Sequence, residues 1–362
     1  LLVPVFFLCV QGLVVLNVVL QVNFPRSYLN NILVQLIAML IGLVGMVIVT
    51  GLAHSLLKPM GQIIYILSLL LQMLLPIFGD QRLADSTGSN AWLNLPGIGR
   101  FQPSELSKIG LCMVLAFVLE ATHVGRLKVW QGVLAGLALS APHLAMIILY
   151  QNDLGTALVL IFMLLMMIFV WGIKLRWILL TVSVAVVSLP LIWTQILEPY
   201  QQRRIVSFLY PNYDLDASYN VNQAKLAISA GGLTGHRDPP FVTVPVQESD
   251  FIFSAVGEYM GFVGCALLII MACAFLLRCI WIATQTTRLA YRYMATGLTA
   301  VFMFHYIENI GMNLGLMPVT GIPLPFVSQG GTAMVMNFLS VGVLMNISAN
   351  NRMERQAAEA DL

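Results

Sequence analysis

Charge is what this 362-residue sequence lacks. Asp, Glu, Lys and Arg make up 9% of it, against about 25% in an average soluble domain. With 59% hydrophobic residues and a mean hydropathy of +0.87, the chain carries more apolar surface than a water-soluble fold can bury, and a bilayer removes the need to bury it. A net charge of +2, with no basic tract and no basic groove interleaved with aromatics, excludes nucleic acid as a partner. The five cysteines (Cys9, Cys112, Cys265, Cys273, Cys279) contain no CxxC pair and sit in apolar runs, so they read as packing residues. The five histidines are dispersed, which leaves no visible zinc site. Leu1 opens on an apolar stretch without Met or a basic flank. Residues 1–22 therefore read as a helix and not a signal peptide, with the natural start expected upstream.

What the sequence has is long apolar runs. A helix needs about 20 apolar residues to cross the hydrocarbon core, and ten segments qualify: 1–22, 29–52, 60–79, 104–122, 131–150, 153–173, 176–196, 250–277, 289–312 and 331–349. They are too long and too little alternating for barrel strands, so the predicted fold is an all-α integral membrane protein forming a single domain over 1–362. Ten spans put both termini on one side. Lys58, Arg126, Lys128, Lys174, Arg176, Arg278, Arg288, Arg292, Arg352 and Arg355 fall on one set of loops and tails. Only Arg26, Arg82 and Arg100 fall on the short loops opposite. The asymmetry makes both termini cytoplasmic. The loop 197–249 is too long to vote, although it holds Arg203, Arg204, Lys225 and Arg237. Gly, Pro and acidic residues concentrate in the outward loops 80–103, 197–249 and 313–330, so chemistry is expected at the outer face.

Five segments carry candidate functional groups. In 88–108, Pro103 and Ser104 mark a helix start with Ser104 as N-cap. Glu105 and Lys108, at i and i+3, share a face at the membrane edge; ionisable groups there are functional by default, the bland alternative being a self-neutralising pair. In QNDLGT (151–156), Asp153 sits where a helix dipole favours an anion, which alone would account for it. In 197–237, Arg203 and Arg204 suit anionic phosphates or plain headgroup anchoring, and Gly231-Gly232 permits a left-handed turn or a close backbone approach. In 245–264, Asp250 reads either as an N-cap or as a reactive carboxylate. Glu258 lies two turns inside the span, about 12 Å along a straight helix from Asp250. Acid/base pairs of inverting glycoside hydrolysis stand about 6.5–9.5 Å apart, so only one of the two is expected to be the reactive base. In 308–332, three prolines and several glycines inside an apolar stretch predict broken or re-entrant backbone lining a cavity, with Glu308 a further buried acid expected to pair with a polar neighbour.

Taken together, PVTGIPLPFVSQGG (318–331), FQPSELSK (101–108), QNDLGT, AISAGGL (227–233) and SDFIFSAVGE (249–258) resemble the SEDS family (shape, elongation, division and sporulation proteins such as RodA, FtsW and SpoVE), in the family's order and over essentially the whole chain. The resemblance implies a peptidoglycan glycosyltransferase that polymerises lipid II outside the cytoplasmic membrane beside a class B penicillin-binding protein. It assigns the family's essential aspartate to Asp250, its Glu/Lys dyad to Glu105 and Lys108, and its loop tryptophan to Trp92. Asp250, Glu105 and Lys108 are thus the candidate catalytic residues. Trp92, Asp153, Arg204, Gln223 and Ser328 are candidates for substrate binding, with Glu248, Glu258 and Glu308 as further acids. The donor leaves as undecaprenyl pyrophosphate, so the reaction needs one base for the acceptor hydroxyl and positive charge near the phosphates. Lys108, Arg204 or a divalent cation (Mg or Mn) would supply that charge. The sequence departs from the family pattern at Ala91, where an arginine is expected, and at Glu248, Ser249, Asn152 and Gln329. Glu248 places an anion beside Asp250, which raises the latter's pKa or completes a metal site. The competing readings are a weakly catalytic relative that anchors or activates the transpeptidase, and a lipid II flippase.

Overall fold

The computed structural model describes residues 1–80, 89–95, 99–195, 197, 199–210, 213–236 and 241–360; Arg82 and Arg237 lie outside them. Each of the ten predicted segments falls on a helix: α1 Leu2–Asn23, α2 Tyr28–Gly51, α3 Leu57–Met73 (followed by a single turn, α4 Leu75–Phe78), α5 Pro103–His123, α6 Val129–Ala145, α7 Leu154–Trp171, α8 Leu175–Gln195, α11 Ile252–Gln285, α12 Leu289–Asn313 and α13 Gly331–Ala360. Helix α6 runs on through a π-turn at Met146–Tyr150, just beyond Pro142, because a mid-helix proline removes one ladder hydrogen bond and crowds the preceding turn. Eight helices among the described residues are long and apolar enough to cross a membrane. The outer faces of the helices carry large apolar side chains, Val3 at 78%, Leu149 at 75% and Val187 at 80% exposure. On this scale such exposure is tolerable only against lipid. The chain is an all-α multi-pass membrane protein, apart from one short ribbon.

Two local expectations change. The loop 197–249 is largely helical, as α9 Pro199–Leu209 and α10 Leu215–Ala230. Helix α10 buries Ala224 and Ala227 against Val244 and Phe251; alanines contribute little hydropathy, so this inward face left no apolar period to read. The loop 80–103 contains strands β1 Leu93–Leu95 and β2 Gly99–Phe101 in antiparallel register, Leu93 opposite Phe101. Arg100 Nε bonds Asp80 Oδ2 at 3.3 Å beside this ribbon. Three-residue strands are too short to show a period of two.

Helix α12 lies at the centre, packed against α5, α7, α11 and α13. That position explains its composition: its polar side chains face protein instead of lipid. The other close contacts use small residues, as helices in lipid do. Gly110 of α5 lies where a Cβ would stand 2.7 Å from the Tyr65 nitrogen of α3, and Gly342 of α13 does the same at 2.9 Å from the Met46 oxygen of α2. Helix α2 ends on the fully buried Asn346 of α13, whose Nδ2 donates to the carbonyls of Val49, Thr50 and Leu52 at 3.0, 3.2 and 2.7 Å. Replacing Asn346 with Ala removes this donor from all three carbonyls, of which Val49's still accepts from the Leu52 N–H, at roughly 1–3 kcal/mol. The thermal midpoint of the purified protein in detergent is expected to fall, and an unchanged midpoint would refute this role.

Candidate active site

Asp250 sits in a turn built on one strained residue. Val246 has φ +56°, a conformation that costs a β-branched residue on the order of 1–3 kcal/mol. Its carbonyl collects the N–H groups of Ser249, Asp250 and Phe251 at 3.3, 3.2 and 3.3 Å. The other two non-glycine residues with positive φ among the described residues are Asn152 and Phe326. They flank Asp153 and Ser328, so all three strained positions border one site.

Asp250 does not cap α11. The helix begins at Ile252, and the Ser254 N–H that an N-cap side chain would satisfy is taken by Asn313 Oδ1 of α12 at 3.0 Å. Asn309 and Asn313 also donate to the Asp250 carbonyl at 2.8 and 3.1 Å. The main chain of Asp250 is therefore clamped while its carboxylate stays free of structural duty. Burial pushes that carboxyl up to about 6; the Ser249 hydroxyl and the Arg204 guanidinium pull it down, whereas Glu248 and Asp153 push it up. Glu248 is itself raised by burial.

The non-helical segment 314–330 forms the opposite wall. Asn309 donates to the Ile322 carbonyl at 2.9 Å, His305 Nδ1 meets the Pro323 carbonyl at 3.0 Å and the Tyr306 hydroxyl donates to Pro325 at 3.3 Å. Ser328 accepts from the Leu324 N–H at 2.8 Å and donates to the Ser249 carbonyl at 2.5 Å, which ties this wall to the Asp250 turn. Gln35 of α2, 1% exposed, closes the end by donating to Ser328 O and accepting from Gly330 N. Ser328, a candidate for substrate binding, thus links the wall to the turn through its hydroxyl. Gln329 gives its N–H to the Glu248 carbonyl at 2.8 Å.

Asp153 is the N-cap of α7, as its position suggested: Oδ1 accepts from Thr156 N at 2.9 Å, and Oδ2 accepts from the Thr156 hydroxyl and from Gln102 Nε2 at 2.8 and 3.2 Å. Arg204 donates to the Val319 carbonyl at 3.3 Å. Together with Lys225 it lines a cleft against Pro318 and Val319, two residues from Gly321, where a Cβ would stand 3.3 Å from Asp250 Oδ2. Lys225 had counted only as loop charge; the helical turns of α10 bring it here. Gln223, partly buried on α10, has no hydrogen bond to these groups among the described residues.

Glu105 and Lys108 are not at a solvated membrane edge. They are 3% and 4% exposed and joined at 2.6 Å, and Lys108 Nζ also lies 3.0 Å from His305 Nε2. An ammonium donor at Nε2 makes that nitrogen the acceptor, so His305 carries its proton on Nδ1 and donates it to Pro323. Through His305 the dyad is connected to the Pro323 carbonyl in the wall of the site. Sequence reading missed His305, because its partner stands 197 residues away. The N-cap before this pair is Gln102, with Pro103 in the first turn; Ser104 is buried with its hydroxyl unpaired.

Glu258 is structural as well. Oε1 accepts from Val242 N at 2.6 Å and Oε2 from Gln247 Nε2 at 3.3 Å, which fixes the chain leading to Asp250. Helix α11 breaks at Gly261, φ +64°. The N–H groups of Phe262 and Val263 bond the carbonyls of Gly232 and Leu233 at 2.8 and 3.1 Å. Both expectations for the glycine pair hold, one at each residue: Gly232 has φ +53°, and a Cβ on Gly231 would collide with the Gly257 carbonyl. Glu308 is 1% exposed and lies beside Thr320 and Asp250. Thr320 is the polar neighbour expected for it: its hydroxyl and main chain both interact with the Glu308 carboxylate, although neither contact has ordinary hydrogen-bond geometry. Trp92 is partly buried and gives its carbonyl to the Asp80 N–H at 2.9 Å. Ala91 is 1% exposed, next to Asn90, whose N–H donates to the Gln151 carbonyl. No group of three His, Cys, Asp or Glu side chains with metal-binding geometry occurs among the described residues.

A multi-pass α-helical membrane protein with a partly buried aspartate, held on a strained turn between acids and an arginine, defines the class. Residues 1–353 match the cell cycle protein family of FtsW, RodA and SpoVE, and the chain belongs to it. It is 33% identical over 322 residues to the peptidoglycan glycosyltransferase MrdB of Escherichia coli K12, covering 86% of this chain and 84% of that one. It is 32% identical over 271 residues to a probable peptidoglycan glycosyltransferase FtsW of Geobacter sp. M18, covering 73% and 72%. Among solved structures it is similar to a chain of a peptidoglycan synthase complex that coordinates polymerization and crosslinking (TM-score 0.77, 28% identity, 96% and 97% covered). It is also similar to the rod shape determining protein RodA of Thermus thermophilus (TM-score 0.66, 28% identity, 96% of each chain covered).

Lys108→Met leaves Glu105 buried without its cation and is expected to cost roughly 3–5 kcal/mol. The double variant Glu105→Gln/Lys108→Met removes both charges and should recover much of the loss. Thermal unfolding of the three proteins in detergent checks this; a double variant no better than the single one would contradict the pairing.

Proposed function

We propose that this chain is a peptidoglycan glycosyltransferase that polymerises lipid II at the outer face of the cytoplasmic membrane, with Asp250 as the base. The observation that carries the reading is the Asp250 carboxylate, which takes no part in capping α11 and is held by its main chain beside Ser249 and Arg204. In the reaction Asp250 takes the proton of the acceptor sugar hydroxyl as that oxygen bonds to the donor's anomeric carbon, while undecaprenyl pyrophosphate leaves. A base whose pKa lies near the working pH is the efficient choice. Arg204 and Lys225 line the cleft beside it and would receive the charge gained by the departing pyrophosphate. A magnesium or manganese ion is compatible with these residues only in the form in which one or two carboxylates and the substrate's own phosphates hold it, since the described residues offer no three-ligand cage. Such an ion would neutralise phosphate charge.

Ten spans with both termini cytoplasmic follow from the basic asymmetry of the loops and put this cluster on the outer side. A class B penicillin-binding protein as partner is supported by the similarity to a chain of a polymerising and crosslinking complex. A scaffold with weak activity is the second reading. It is favoured by Ala91, buried where the family pattern has an arginine.

Labelled lipid II, supplied to purified protein with and without Mg²⁺ or Mn²⁺ and a class B partner, is expected to yield glycan strands with wild type and none with Asp250→Ala. Strands from both would remove Asp250 as the base. No strands from either folded protein, with partner present, would favour the scaffold. The rate should rise with pH through about 6, because Asp250 must be ionised and its carboxyl is raised to that value. Glu248→Gln removes a neighbouring anion and should move this limb to lower pH, whereas Arg204→Gln removes a neighbouring cation and should move it higher. Rate–pH profiles that do not separate in this order would rule out Asp250 as the titrating group.

A further inference from the structure

Helix α12 serves the carboxylate cluster from one end only. At its other end Arg292 precedes Asn309 by 17 residues, about 25 Å along the axis, most of the roughly 30 Å hydrocarbon thickness. Arg292 therefore belongs to the leaflet opposite Asp250. From it runs a stripe of Thr296, Ala300 and Met303 at helical spacing, walled by Val170 of α7 and Ala283 of α11, enclosing a groove of about 400 Å³.

The groove walls are apolar in effect. The hydroxyls of Thr284, Thr296 and Thr299 donate to Trp281, Arg292 and Ala295 carbonyls of their own helices at 2.9, 2.9 and 2.6 Å, so their protons are spent. Arg292, partly buried at the mouth, donates Nε to the Thr286 carbonyl at 3.1 Å, which holds the guanidinium in place. Among the described residues neither ion pair includes it, and no hydrogen bond there engages its two terminal nitrogens. A guanidinium at membrane depth calls for an anion. A transmembrane helix about 10 Å across would fill 400 Å³ with about one turn, so the space suits a flexible chain and not a partner helix.

We propose that this groove binds one anionic glycerophospholipid, its phosphate on the Arg292 terminal nitrogens and an acyl chain along Thr296–Met303. The site is separate from Asp250 and does not depend on the reaction assigned there.

The test is native mass spectrometry of the full chain, released from nanodiscs made of equal parts phosphatidylglycerol and phosphatidylcholine with matched acyl chains. Wild type should retain phosphatidylglycerol about fivefold over phosphatidylcholine, the factor one surface arginine is worth. Arg292→Gln should bring the ratio near one. Ala283→Phe, which fills the groove and keeps the arginine, should lower retention of both lipids. Equal ratios in wild type and Arg292→Gln would overturn the proposal. So would displacement of the retained lipid by inorganic phosphate, or by a polyprenyl phosphate in preference to phosphatidylglycerol. Should a variant fail to fold, the wild-type ratio and the two competitions still decide.

Discussion

Backbone that leaves the helix inside a bilayer has no water to pair with, so the protein must supply a partner for each N–H and C=O. Segment 314–330 is such backbone, and the site is organised around meeting its needs. Helix α12 answers with one face, His305, Tyr306, Asn309 and Asn313, which bonds in turn to Pro323, Pro325, Ile322 and the Asp250 carbonyl. Ser328 and Gln35 close the remaining groups. The wall of the site and the main chain of its aspartate are thus held by the same helix.

This arrangement separates holding from reacting. Asn313 performs the capping that Asp250 was placed to perform, and Glu258 secures the approach strand through Val242 and Gln247. Glu105, Lys108 and His305 brace Pro323 from behind. With these duties taken by other side chains, Asp250 keeps a carboxylate whose proton affinity is set by burial and by Arg204, Glu248 and Asp153. Strain at Val246, Asn152 and Phe326 is stored where it fixes the turn, the α7 cap and the wall relative to one another.

The same helix joins two leaflets. Its Asn309 end organises the carboxylates and its Arg292 end closes a lipid-facing groove. A helix that carries Arg, His, Glu and two Asn would be a poor membrane span alone. At the centre of the bundle each polar group finds protein or a groove to face.

The membrane class, the ten helical segments and the broken segment before α13 were legible in the sequence, because span length, charge scarcity and proline–glycine clustering act locally. The family motif singled out Asp250 among the acids, and the structure places it beside Arg204, Glu248 and Asp153. Tertiary structure alone decided which acids are free. Asp250 reads equally well as an N-cap in the sequence; Asn313, 63 residues further on, is what takes the Ser254 N–H. Glu105 and Lys108 read as an edge pair until α12 brought His305 against them. Helices α9 and α10 hid in a loop because their inward faces are small or polar. Hydrogen-bond partners distant in the chain leave no period in the sequence, and in a membrane protein it is those partners that determine which charges remain for chemistry.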